Sequence, residues 1–192
     1  MGLKNIEIKE SYRTDTCPDL GTYFVSKVLE ESVIYKRAVG FFSSSALIKL
    51  SRGISHLVKK PNCHIYFVVS PILYESDVEA IKKGYNNRRE IVEKAMLREF
   101  KEPTNEIECE RLNYLCHLIE KGILDIKVAD KQNKNNENEL GMFHEKIGLF
   151  EDENGDKVAF CGSLNESDNA FSRNFESIQV FKSWEETKRV AI

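Results

Sequence analysis

Residues 142–162 read MFHEKIGLF-EDENGD-KVAFCG and decide the fold of this chain. Two apolar-rich segments, 142–150 and 157–162, flank an acidic stretch that contains the step Asn154-Gly155. An Asn-Gly step between apolar runs is a strong turn signal. The sequence therefore predicts a β-hairpin here.

The first strand of this hairpin carries a histidine and a lysine two residues apart. Side chains alternate along a strand, so His144 and Lys146 project from the same face and converge on one spot. A six-residue loop between matched strands puts His144 opposite Ser163, with an error of a residue or two. Asn165 then follows. A His-x-Lys pair alone is weak evidence for a catalytic site. Here the hydroxyl of Ser163 and the amide of Asn165 are expected to lie beside it.

The residues before the hairpin predict a β-α-β unit. Tyr35–Phe42 (YKRAVGFF) is rich in aromatic and β-branched residues, which indicates a strand. Serines 43–45 offer N-cap hydroxyls to a helix that runs to about Val58. Cys63–Ser70 (CHIYFVVS), closed by Pro71, fits a buried central strand.

The rest of the chain predicts further helices and strands. They are a helix over Asp77–Phe100, a helix over Glu106–Lys121, a strand over Ile123–Val128, a surface loop over Asp130–Glu139, a strand over Phe175–Phe181 and a helix beginning near Ser183. That last helix is only beginning at Ile192, which is compatible with an N-terminal part of a longer protein. We expect an α/β fold, a mixed sheet with helices on both faces.

Length and composition predict one globular domain over residues 1–192. Hydrophobic residues are 41% and charged residues 31%, which excludes a disordered or fibrous chain. The formal charge of −3 gives no global basic field of the kind that marks many nucleic-acid binders. No apolar run approaches the roughly 18 residues of a membrane span, so a cytoplasmic protein without membrane contact is expected. The five cysteines contain no CxxC pair, which disfavours a zinc site.

The motif residues resemble the active-site signature of the phospholipase D superfamily. Residues 144–146 (HEK) and 162–165 (GSLN) are similar to its HxK…GSxN pattern. Glu176, eleven residues after Asn165, resembles the arrangement in metal-independent type IIS restriction endonucleases and in nuclease domains fused to DEAD/DEAH-type helicases. The segment 35–44 is similar to their opening strand, so the likeness covers roughly residues 12 to 184.

This resemblance implies a phospholipase D-like mixed sheet and a metal-independent phosphodiesterase, most directly a DNA endonuclease. The chain holds one copy of the motif, whereas the superfamily's site needs two, which implies a homodimer with one shared site. DNA and a C-terminal helicase or specificity domain are the other implied partners. No metal or other cofactor is implied.

Phosphodiester chemistry gives each motif residue a role. Lys146 and Asn165, assisted by Ser163, would stabilise negative charge on the non-bridging oxygens. His144 would form a covalent phosphohistidine, while the same histidine of the second subunit protonates the leaving oxygen. Glu176 would hold one imidazole in the correct tautomer.

Structural roles remain open for three of these residues. Asn165, like Ser163, could cap a helix that starts at Glu166. Glu176 could be an exposed strand residue paired with Lys182 or Arg173.

Six further residues are candidates for contacts to the DNA backbone, which would make the affinity salt-dependent: Arg13, Lys36, Arg37, Ser43, Ser44 and Arg52.

One position departs from the family pattern. The aspartate expected beyond the motif lysine falls on Glu151, with Asp152 next. This acid is often structural in the family, so the change weakens the link to lipid-cleaving members more than it affects the chemistry.

Two other functions stay open: a DNA-binding or regulatory module with little activity and, less directly, a phospholipase-type enzyme, for which the sequence offers no apolar loop to meet a bilayer.

Overall fold

A seven-stranded mixed sheet organises the protein. The computed structural model describes residues 2–40, 44–70, 90, 94, 104–129, 143–165, 167, 170–171, 173–185 and 190, with the side chains at 44, 45 and 47 excepted. The strands are β1 (Ser11–Arg13), β2 (Ile34–Val39), β3 (His64–Val69), β4 (Leu124–Val128), β5 (Lys146–Glu151), β6 (Lys157–Gly162) and β7 (Ser177–Lys182). Their spatial order is β1-β7-β6-β5-β2-β3-β4.

Helices precede the strands of one half of the sheet. A π-helical segment, Gly21–Ser26, continues into α1 (Lys27–Glu31), and α2 (Ser44–Lys49) and α3 (Ser51–Leu57) connect β2 to β3. A further helix, α4 (Glu106–Glu120), leads into β4. None of these described helices is long and apolar enough to cross a membrane.

Strand β2 lies where a parallel half of the sheet meets an antiparallel half. On one side β2, β3 and β4 run parallel, with Tyr35 opposite Ile65. On the other side β5, β6, β7 and β1 follow one another in antiparallel pairs. Because β2 and β3 are parallel neighbours joined by helices, the predicted β-α-β unit is confirmed.

The main core lies on the face of the sheet that the helices cover. Tyr35 stacks on Phe150 with ring centroids 4.6 Å apart and meets Phe67 edge-on at 5.7 Å. Phe24 of the π-helical segment packs edge-on against Phe150 and Phe160. Full burial of such a ring stabilises the fold by about 1.5–3 kcal/mol. The aromatic residues therefore hold the helical layer on the sheet.

Apolar residues also point to the opposite face. Leu149 and Ala159 are buried there beside Phe181, and Val190, a helical residue, packs against them. Helical residues thus contact both faces of the sheet. The predicted α/β class with a mixed sheet is confirmed.

Most of the predicted elements are confirmed within a few residues. The helix predicted from 43 to 58 is interrupted at Leu50, between α2 and α3. Strand β1 and the helical stretch Gly21–Glu31 were not predicted. The predicted helix Asp77–Phe100 and loop Asp130–Glu139 lie outside the described residues, except for two helical residues, Glu90 and Lys94.

The predicted hairpin is confirmed, with a register one residue away from the prediction. Glu151 still belongs to β5 and pairs with Lys157, so Phe150 lies opposite Val158. Continuing this register places Leu164 opposite His144, one residue beyond the predicted Ser163 and within the stated error.

The turn itself explains the shift, because Asp152 is buried and organises it. Its Oδ1 accepts hydrogen bonds from the backbone N–H groups of Asn154 and Asp156, at 2.9 and 3.0 Å. Its Oδ2 accepts from the N–H of Leu3 at 2.8 Å. The chain therefore reverses after Glu151. Asp152 is the structural acid of this turn, whereas Glu151 only pairs with Lys157 near the surface.

Candidate active site

The motif residues meet at one end of the sheet. Strands β2 and β6 end there, and their antiparallel neighbours β5 and β7 begin there. The antiparallel pairing of β2 with β5 brings Lys146, the first residue of β5, opposite Val39, the last residue of β2. Gly162, at the end of β6, lies opposite Ile178 near the start of β7. Four strand ends thus surround the predicted site.

Lys146 lies in the wall of this site. Its side chain points to the helix-covered face, the residue is 7% exposed, and Nζ donates a hydrogen bond to the backbone carbonyl of His144 at 3.0 Å. Burial lowers the pKa of Lys146, the charge of Glu176 counteracts this shift, and Arg37 adds to it. The charges of a carboxylate and of a guanidinium thus act on this ammonium in opposite directions.

His144 is exposed directly before β5. A Cβ atom at Gly40, the residue after β2, would lie 2.6 Å from the carbonyl oxygen of Phe143 and 3.3 Å from Cδ2 of His144. The N–H of Phe143 donates to Oγ of Ser70 at 3.2 Å. The absence of a side chain at Gly40 therefore lets the histidine segment cross the end of β2.

Arg37 lies beneath the site and is 2% exposed. Its Nη2 donates a short hydrogen bond to the carbonyl of Leu164, and its guanidinium lies 4.7 Å from the centre of the Phe160 ring. A side chain so buried does not present itself to DNA, so the predicted backbone contact is corrected. Arg37 instead holds the segment that leads to Asn165.

Ser163 joins the ends of β6 and β7. Its N–H donates to the carbonyl of Ser177, and its Oγ accepts from the N–H of Ser177, both at 3.0 Å. A Cβ atom at Gly162 would collide with that same carbonyl, so only glycine allows this approach. Asn165 is half-buried two residues further on. The predicted Ser/Asn corner thus lies at the same sheet end as Lys146.

Glu176 is buried, at 6% exposure, and not an exposed strand residue. Its Oε1 accepts from Nδ2 of Asn174 at 3.2 Å, and its charge acts on Lys146. Lys182, one of the two alternative partners considered for it, pairs with Glu185 instead. The carboxylate of Glu176 therefore lies near Lys146, at the same end of the sheet.

The remaining predicted contact residues are dispersed. Arg13, at the end of β1, is exposed close to Glu176, because the next residue, Thr14, hydrogen-bonds the backbone of Glu176. Lys36 points to the opposite face of the sheet. Arg52 pairs with Glu30 at 3.0 Å, near the start of β2 and away from the site, and its predicted contact to DNA stays a prediction. Ser43 lies outside the described residues, and Ser44 begins α2.

Three residues that shape the site were not singled out from the sequence: Thr14, Gly40 and Ser177. Gly40 stood within the predicted strand 35–42, where a glycine before a turn signals a close approach of backbone. The other two carried no such signal. Within the described ranges, no group of three or more His, Cys, Asp or Glu side chains could hold a metal ion.

Comparisons with known proteins agree with this architecture. The structure is similar to NucT from Helicobacter pylori, with a TM-score of 0.53 and 14% identity, covering 92% of this chain and 86% of that one. Weaker similarities are to Nuc from Salmonella typhimurium (TM-score 0.39, 11% identity, 82% and 73% covered) and to yeast tyrosyl-DNA phosphodiesterase (TM-score 0.42, 10% identity, 79% of this chain but 26% of that one). The curated proteins contain no match to the sequence.

The family comparison is decisive, because it covers more than half of the chain and all five motif residues, His144, Lys146, Ser163, Asn165 and Glu176. Residues 62–191 match the family described as "Cardiolipin synthase, PLD-like domain". This chain belongs to the family of phospholipase D-like domains.

Proposed function

We propose that this protein is a metal-independent phosphodiesterase that cleaves DNA, with His144 as the nucleophile. One observation carries the proposal. The buried ammonium of Lys146 hydrogen-bonds the backbone of an exposed histidine, and the charge of Glu176 favours its protonated form. A fixed cation beside an accessible imidazole suits attack on a phosphate ester.

The chemistry divides into two steps. The imidazole of His144 attacks phosphorus, a P–N bond forms, and the bond to the leaving oxygen breaks. Lys146 stabilises the charge that develops on the non-bridging oxygens, together with Ser163 and Asn165. Water then attacks the phosphohistidine and releases the second product, and Glu176 keeps an imidazole oriented throughout.

The leaving oxygen requires a proton, which one copy of the motif does not supply. We assign this proton to His144 of a second subunit, so the working enzyme is a homodimer with one site at its two-fold axis. DNA is favoured as the substrate because the fold resembles that of nucleases. An attached helicase or specificity domain remains part of the proposal and rests on the motif spacing. The cytoplasmic location expected from the sequence is part of the proposal as well.

The test compares wild type with His144→Ala on DNA and on methyl p-nitrophenyl phosphate, in buffer containing EDTA. Loss of the nucleophile is expected to lower both rates by about 10³-fold or more. The matched control is His56→Ala, which removes another exposed histidine, on α3. Equal rates for wild type and His144→Ala would remove the enzymatic proposal. Salt-dependent DNA binding without cleavage would favour a regulatory module, and turnover of a lipid alone would favour a phospholipase.

A further inference from the structure

An aromatic ring projects into solvent beside the candidate active site. Phe175 is 69% exposed, although it directly precedes the buried Glu176. Side chains of successive residues in an extended segment point in opposite directions, so the burial of Glu176 directs Phe175 outward. Glu176 therefore points to the helix-covered face, like Lys146, whereas Phe175 points to the opposite face at the same end of the sheet.

The backbone that carries this ring is fixed. Oγ1 of Thr14 donates to the carbonyl of Asn174 and accepts from the N–H of Glu176, both at 2.9 Å. The N–H of Thr14 donates to the carbonyl of Glu176 at 3.1 Å. Thr14 therefore fixes the backbone on both sides of Phe175, at Asn174 and Glu176, and the fold itself keeps the ring exposed.

A cation lies over the ring. The guanidinium of Arg13 is 5.2 Å from the centre of Phe175, and its Nη2 pairs with Asp15 at 3.1 Å. Single exposed apolar residues are ordinary on protein surfaces. Here three features coincide: the ring is rigidly mounted, it is paired with a guanidinium, and it adjoins the residue that acts on Lys146.

We propose that Phe175 is a stacking platform for an unpaired base next to the phosphate that is cleaved, with Arg13 contacting the neighbouring phosphate. This inference rests on the proposed function and adds its substrate class. Aromatic side chains bind single-stranded nucleic acid by stacking on bases, and an adjacent guanidinium adds attraction to the backbone. Bases in a duplex already stack on each other, so the platform favours single strands and frayed ends.

The experiment uses three substrates that separate the base from the phosphate. They are a single-stranded oligonucleotide, the same strand with abasic residues flanking the cleaved phosphate, and methyl p-nitrophenyl phosphate. Wild type, Phe175→Ala and Phe175→Trp are compared by kcat/KM. Binding of a fluorescent single strand is measured by anisotropy in the His144→Ala background, with and without Phe175→Ala.

Phe175→Ala is expected to lower kcat/KM on the normal strand, and affinity for it, by roughly 5- to 100-fold. Rates on the abasic strand and on the small phosphodiester should not change, and Phe175→Trp should restore the normal strand. The control is Ile107→Ala, which truncates another exposed apolar residue, on α4 beside the far edge of the sheet. It should leave every rate at the wild-type value.

Two results would overturn the stacking platform while leaving the proposed function intact. One is an equal loss on the normal strand, the abasic strand and the small phosphodiester. The other is conversion of Phe175→Ala from dimer to monomer in sedimentation, which would assign the ring to a subunit interface. A wild-type protein inactive on all three substrates would instead overturn the proposed function, and the anisotropy titration would still decide whether Phe175 binds unpaired bases.

Discussion

The position of Lys146 is a compromise between charge and burial. A buried ammonium loses hydration, which disfavours its charged form, yet a cation in a water-poor site acts most strongly on a phosphate. Glu176 offsets part of this cost, because its carboxylate favours the protonated lysine. We infer that these two residues maintain the charge that the chemistry needs.

This compromise predicts how stability depends on pH. The folded-state pKa of Lys146 is lowered, so between that pKa and the ordinary value of about 10.4 the unfolded chain binds the extra proton. The free energy of unfolding should therefore rise with pH in that window, by at most about 1.4 kcal/mol per pH unit. Lys146→Met should lack this contribution, and Glu176→Gln should widen the window.

Urea unfolding of the wild type and both variants, from pH 7 to pH 10.5, measures the effect. The difference between wild type and Lys146→Met isolates Lys146, because Lys60, whose pKa burial also lowers, is common to both. Glu10→Gln is the control for the loss of one carboxylate, because Glu10 is exposed. A constant difference between wild type and Lys146→Met across the range would contradict the assigned environment.

The burial of Arg37 was only partly predictable from the sequence. The period of two along β2 places Tyr35, Arg37 and Val39 on one face, opposite Lys36. The alternation thus places the side chains of Lys36 and Arg37 on opposite faces of the sheet. That a guanidinium would be accepted in the core depended on the carbonyl of Leu164, which is distant in sequence and gives no local signal.

At the scale of elements, the hairpin was predictable because its turn signal and its apolar strands agree. Its register was missed by one residue because the extent of β5 depends on a buried acid, and burial of Asp152 arises from contact with Leu3. The helical stretch Gly21–Glu31 had a signal that was not used, since Leu20, Phe24 and Val28 recur at helical spacing. Strand β1, with three residues, is too short for such a pattern.

Asp152→Asn tests the role of that acid in the turn. An amide retains one acceptor oxygen and directs an NH₂ group at an N–H donor, either in the turn or at Leu3. A buried donor without an acceptor costs about 1–3 kcal/mol, which should appear as a loss of unfolding free energy in urea. Glu153→Gln, one residue away and exposed, should stay within about 0.5 kcal/mol of wild type. Equal stability of Asp152→Asn and wild type would exclude the buried hydrogen bonds as the cause of the register.

On the scale of the whole molecule, the topology explains how distant segments form one site. Antiparallel pairing places the start of β5 beside the end of β6, while β2 and β7 supply the flanking ends. The likeness of residues 144–146 and 162–165 to the family motif predicted this meeting. The support around it, from Thr14 and Gly40, arises only when β1 and β2 take their places.

The proposed dimer gives a prediction for mixed subunits. If one site needs His144 from both chains, activity falls with the square of the wild-type fraction, so an equal mixture with His144→Ala should retain about one quarter of the wild-type rate. Subunit exchange is verified by capture of an affinity-tagged chain, and cleavage of single-stranded DNA is then measured across mixing ratios. Mixtures with His56→Ala should keep the full rate. A rate proportional to the wild-type fraction would mean that each chain works alone, and the proton for the leaving oxygen would then have to come from within one subunit.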